Sequence, residues 1–163
     1  MENTQISLYF HGRWWSIDSW KAKSFNDLFW IISIPFDENY DDAVRYFTDN
    51  FLGKKDIILI SHSAWVLPII SICYNYPENI KKVVLLNPAT SMANINTICD
   101  DIPVQLYSWT NDYWRNIYME WDKPRKNINI ITIPGNHDFK WRDEMINKII
   151  SYELNNSSCY LEL

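Results

Sequence analysis

Three short stretches, each directly after an apolar run, carry side chains able to perform nucleophilic chemistry together. The first is Ile60-Ser61-His62-Ser63-Ala64-Trp65, the second Tyr107-Ser108-Trp109-Thr110-Asn111-Asp112, the third Ile133-Pro134-Gly135-Asn136-His137-Asp138. A serine hydroxyl is a weak nucleophile until a neighbouring imidazole takes its proton, and histidine titrates near neutrality. A carboxylate on the other ring nitrogen fixes the tautomer of that imidazole. Ser63, His137 and Asp112 supply these groups, and the backbone N–H of Ala64, just after the serine, can face a developing oxyanion. Each residue also has a plain structural reading. Ser63 can cap the helix that follows it, Asp112 can cap a helix over 113–121, and His137 can be a loop histidine. Asp138 and Asp101 are alternative acids. What joins the three is that each falls at a strand end, in the chain order Ser, Asp, His.

The elements that must position them follow from apolar periodicity. Continuous Ile-, Val- and Leu-rich runs over 6–10, 30–34, 56–60, 82–86, 104–109 and 128–133 predict strands covered on both faces. Amphipathic stretches alternate with them, the form of repeated β-α units around a parallel sheet. Over 40–52, Ala43, Val44, Phe47 and Phe51 share a helical face, and Gly53 stands where a left-handed cap is expected. Over 139–154, Met145, Ile146, Ile149 and Ile150 oppose charged residues, and further helices follow Ser63 and Asp112. The expected architecture is α/β: three α/β/α layers, a mostly parallel sheet of six strands, and a single domain over 1–163 whose tail frays from 155. Ligands of such sheets bind beyond the carboxyl ends of the strands. All three histidines, His11, His62 and His137, fall there, as do Gly12 and Gly135.

In this respect the chain resembles the α/β-hydrolase superfamily, specifically its small members without a lid, and the resemblance spans nearly the whole sequence. Phe10-His11-Gly12-Arg13 looks like the family's His-Gly turn. That resemblance assigns a second oxyanion donor to Arg13 or Trp14, beside Ala64. It implies the strand order 2-1-3-4-5-6, and the short connection between the fourth and fifth runs, where larger relatives insert a cap, implies a minimal, capless hydrolase. The family's G-x-S-x-G reads here as Ser61-His62-Ser63-Ala64-Trp65. Ser61 is small, but Trp65 stands where the family keeps a small residue for close helix-strand packing. Pro68 fits only if the following helix starts late enough to place it in the first turn.

Composition narrows the partners. A net charge of -5 opposes nucleic-acid binding, and no apolar run approaches the roughly 18 residues that span a bilayer. Cys73, Cys99 and Cys159 are odd in number and form no CxxC pair, so they point to neither a disulfide framework nor a zinc site. The expectation is a soluble cytoplasmic protein without cofactor. Aromatics make up 16% of the chain, more than a core alone requires. Trp14, Trp15, Trp65 and Trp141, with His11 and Gly12, are the expected lining of an apolar acyl pocket. Arg13, Arg115, Lys140 and Arg142 form a basic rim on the same edge. The expected reaction is hydrolysis of a small-molecule ester or thioester, with an acyl carrier protein as a possible donor. Two rival readings stand beside it: a hydrolase-like binding protein disabled at Trp65, and a metal site of His11, His62 and His137.

Overall fold

The apolar runs pair as one parallel sheet in the order β2-β1-β3-β4-β5-β6, where β1 is Ser7–Phe10, β2 Ile32–Ser33, β3 Ile57–His62, β4 Ile80–Leu86, β5 Val104–Trp109 and β6 Ile128–Ile133. The structure is a computed structural model and describes residues 5–11, 20–35, 39–111, 123–135 and 143–155. Five helices accompany the strands among these residues: α1 Trp20–Phe29, α2 Tyr40–Phe51, α3 Val66–Asn75, α4 Met92–Ile95 and α5 Asp143–Asn155.

Alternation along the strands splits the core into two. Leu8, Leu59, Val83, Leu85 and Leu106 face α2 and α3, meeting Ala43, Phe47, Ile69 and Ile72. Tyr9, Ile58, Ile60, Val84 and Tyr107 face α1 and α5, meeting Phe25, Ile146, Ile149 and Ile150. Each fully buried aliphatic or aromatic side chain contributes ~1.5–3 kcal/mol, which is why the central strands carry apolar residues at successive positions. The connection from β4 to β5 holds only the single-turn α4, so no cap is inserted there. No helix among the described residues is long and apolar enough to cross a membrane.

Two boundaries depart from the sequence expectation. α1, which the sequence did not reveal, ends in a left-handed cap: Trp30 N donates to Asn26 O (3.0 Å), and beyond it Ile31 N donates to Phe25 O (3.4 Å). Trp30 occupies the left-handed position of that turn, at φ 57°, and is 87% exposed. The fourth residue from the start of the predicted 30–34 strand is therefore already its last partner in the ladder, and β2 shrinks to Ile32–Ser33. At the end of α2 the reverse happens. Leu52 stays in right-handed helical geometry (φ -53°, ψ -33°), Gly53 has no positive φ, and Lys54 N closes the turn onto Phe51 O at 2.8 Å. The left-handed residue is Asp56 instead, at φ 59°, directly before β3.

One polar group is fully buried beneath α5. The Glu153 carboxylate accepts the Tyr107 hydroxyl and pairs with Lys82, tying α5 to β4 and β5. Burial first, and then the hydrogen bond to Glu153, pushes the Tyr107 phenol well above its ordinary range.

Candidate active site

The chain leaves β3 in extended geometry at His62 (φ -127°, ψ 137°) and turns at once, because Ser63 takes φ 60°. A non-glycine residue in the left-handed region is strained by ~1–2 kcal/mol, so the surroundings must hold it there. Residues Ser63–Trp65 form one 3-10 turn that runs directly into α3. The cap position of that turn is His62 and the cap position of α3 is Trp65. Ser63 thus occupies neither cap, and a capping serine would in any case be extended. The late start of α3 at Val66 also puts Pro68 in its first turn, where the missing N–H has no intrahelical acceptor to lose.

Ser61 and Trp65 flank this turn. Ser61 lies wholly buried, and by strand alternation it is on the face of β3 that carries Ile57 and Leu59 toward α2 and α3. The Trp65 ring is 3% exposed and sits in the core shared with α2, its centroid 4.8 Å from Tyr40 edge-on and 5.9 Å from His11. The bulk of Trp65, where the resemblance leads one to expect a small residue, is thus housed between the end of β1 and the start of α2. His11 and His62 are 3% and 5% exposed.

Register brings the strand ends together. Phe10 is opposite Ser61, His62 opposite Leu86, Leu86 opposite Tyr107, and Trp109 opposite Ile133. His11, Ser63 and residue 87 therefore leave the sheet along one edge. The β5–β6 ladder continues past both strands: Thr110 N donates to Ile133 O (2.9 Å), Asn111 N to Gly135 O (2.8 Å), and Gly135 N to the Thr110 hydroxyl (3.2 Å). The segments leading to residues 112 and 137 are held side by side as far as Asn111 and Gly135.

Of the residues the sequence singles out, His11, Ser63, Ala64 and Trp65 lie within the described residues and gather at this edge. Asp112, His137, Gly12, Arg13, Trp14, Trp15 and Trp141 lie outside them, as do Asp138, Arg115, Lys140 and Arg142. Asp101 precedes β5 and so stands at the amino edge, away from Ser63, which removes it as an alternative acid. No group of three or more metal-ligating side chains occurs among the described residues. One residue escaped the sequence reading: Asn87, fully buried at the end of β4 with φ 52°. The available signal was an Asn directly after an apolar run, since Asn tolerates left-handed backbone better than most side chains.

No protein-family model and no curated protein matches the sequence. Solved structures do match its shape. A predicted CIB-like hydrolase from Thermoplasma acidophilum superposes with a TM-score of 0.66 at 15% identity, covering 96% of this chain and 88% of the other. Monoacylglycerol lipase from Paleococcus ferrophilus gives 0.65 at 16%, covering 93% and 95%, and Est1E from Butyrivibrio proteoclasticus 0.64 at 11%, covering 92% and 86%. The chain has the α/β-hydrolase fold, in a compact six-stranded form.

Proposed function

We propose that the protein is a serine hydrolase of esters or thioesters, with Ser63 as nucleophile. The observation that carries this reading is the left-handed Ser63 between β3 and α3. What sets Ser63 apart from the other left-handed residues is its place in a sharp strand-turn-helix between β3 and α3, the setting of a nucleophile turn. In this reading Ser63 Oγ attacks an acyl carbonyl, His137 accepts its proton and returns it to the leaving group, and Asp112 orients the imidazole. The Ala64 N–H and that of Arg13 or Trp14 receive the oxyanion, and water releases the acyl-enzyme. A hydrolase, a lipase and an esterase among the similar structures support the reaction class, and the extended β5–β6 ladder supports a meeting of the segments that bear Asp112 and His137.

The proposed substrate is an apolar acyl group packed against His11, Gly12, Trp15, Trp65 and Trp141. The basic residues Arg13, Arg115, Lys140 and Arg142 favour an anionic donor such as an acyl carrier protein. Fluorophosphonate labelling tests the chemistry. Labelling at Ser63 that ignores a chelator, and loss of p-nitrophenyl ester hydrolysis in Ser63→Ala, are expected; chelator-sensitive turnover would instead indicate metal chemistry, and neither activity a binding protein. A carrier-linked donor is expected to lose kcat/KM as salt rises while a neutral ester does not.

A further inference from the structure

The left-handed Ser63 has a left-handed neighbour one strand over. Asn87 leaves β4 with φ 52° although it precedes a proline, which favours extended backbone at that position. Its backbone N donates to Tyr107 O at 2.8 Å and its side-chain Oδ1 accepts from Trp109 N at 2.9 Å. β4 ends one residue earlier, at Leu86 opposite Tyr107, so the ladder has no further strand residue to offer Trp109. The Asn87 side chain supplies the acceptor instead, and β5 stays tethered to its last residue. Two residues on, Ala89 N donates to Ser63 O at 3.0 Å. Between them lies Pro88, buried and with its φ fixed by the ring.

We propose that Asn87, with Pro88 and Ala89, is a positioning bridge that sets the nucleophile turn against the end of β5, three residues before Asp112. This rests on the serine-hydrolase reading. The bridge meets backbone groups at both ends, Ser63 O through Ala89 N and Trp109 N through the Asn87 side chain. It acts by holding Ser63 and the acid-bearing segment in one register, where a displacement of about 1 Å costs on the order of 100-fold in rate.

The test is a double-mutant cycle on the whole chain, read with a p-nitrophenyl ester. Asn87→Gly keeps the left-handed backbone accessible and removes the acceptor. It is expected to lower kcat ~10-fold or more with KM nearly unchanged. A well-placed carboxylate raises the pKa of the imidazole it contacts, so the acidic limb of kcat/KM should move to lower pH in this variant. In an Asp112→Asn background the same change is expected to cost less than ~2-fold, because the acid it positions is already gone. Asn87→Asp keeps an oxygen in place and is expected to recover most of kcat. A merely structural role lowers Tm but leaves the limb unmoved and the losses additive. Wild-type turnover in folded Asn87→Gly, an unmoved limb, additivity with Asp112→Asn, or no recovery in folded Asn87→Asp would each overturn the proposal. If Asn87→Gly loses its fold by circular dichroism, Asn87→Ala takes its place with the same outcomes. Failure of wild-type Ser63 to label removes the serine reading itself and this bridge with it; normal labelling with a negative cycle removes the bridge alone.

Discussion

Replacing Ser63 by glycine is expected to make the protein more stable and inactive at once. At φ 60° the serine Cβ crowds the backbone, a strain of ~1–2 kcal/mol that glycine does not feel. Glycine returns ~0.5–1 kcal/mol of that through the greater freedom of its unfolded chain. The balance favours Ser63→Gly by about 1 kcal/mol, or a rise in Tm of ~2–4 °C for a chain of this size. Ser63→Ala keeps the Cβ and gains nothing. Scanning calorimetry of wild type, Ser63→Ala and Ser63→Gly, with ester turnover measured on the same samples, should rank glycine highest in Tm and both variants without activity. A serine that merely caps a helix gives a different order, since Ala then loses ~0.5–2 kcal/mol and Gly a few tenths relative to Ser. A glycine variant less stable than wild type would refute the argument that the turn is strained.

The same physics at Trp30, left-handed and 87% exposed, predicts that Trp30→Gly raises Tm with turnover unchanged, by calorimetry and ester assay. Asp112→Asn is expected to lose on the order of 10⁴-fold in kcat and Asp138→Asn far less, since an Asn acceptor favours the wrong tautomer; the reverse ranking in steady-state kinetics would reassign the acid. Lys82→Met leaves the buried Glu153 carboxylate without its cation and is expected to cost ~3 kcal/mol in urea unfolding, with Lys82→Met/Glu153→Leu recovering part of the loss. Burial raises the phenols of Tyr9 and Tyr107 in the folded protein. The folded state therefore holds protons that the unfolded chain releases near pH 10, so this contribution is intact below that pH and is lost above it. In an absorbance titration these two tyrosines should ionise only together with loss of the near-ultraviolet circular dichroism signal.

Sequence and structure agree where burial decides. β5 and β6 match their predicted bounds residue for residue, because each strand begins and ends on a buried apolar residue: Val104 and Trp109 in β5, Ile128 and Ile133 in the edge strand β6. The strand order and the capless β4–β5 connection were legible through the family resemblance rather than through periodicity. What escaped were features decided by backbone dihedrals. Trp30, Asp56, Ser63 and Asn87 all take a conformation usually given to glycine, while Gly53, the expected left-handed cap, does not. A tryptophan in that role carries no sequence signature. α1 was missed for a related reason: it has no acidic first turn and no basic last turn, and its buried face rests on Ala22 and Phe25, with Phe29 half-buried. At the candidate site the serine was legible because the turn that strains it lies between two strongly apolar elements. Asn87 was not, because its role depends on a hydrogen bond to a strand some twenty residues later.

The strand order also constrains how the chain can fold. β1 lies between β2 and β3, and its pairing with β3 joins Ser7 to Ile58 across two helices and a strand. Such non-local closure is slow, because chain entropy is lost before the contact that compensates for it forms. β4, β5 and β6 instead add one after another to a preceding neighbour. During synthesis β1 is made before β3, and of the described strands the two-residue β2 is its one earlier partner, so the pairing that covers Leu8, Tyr9 and Phe10 waits for β3. The interval between those two strands is the period in which a nascent chain is most exposed to aggregation. Slowing translation between residues 34 and 62 should lower the soluble yield, whereas the same delay between β5 and β6 should not.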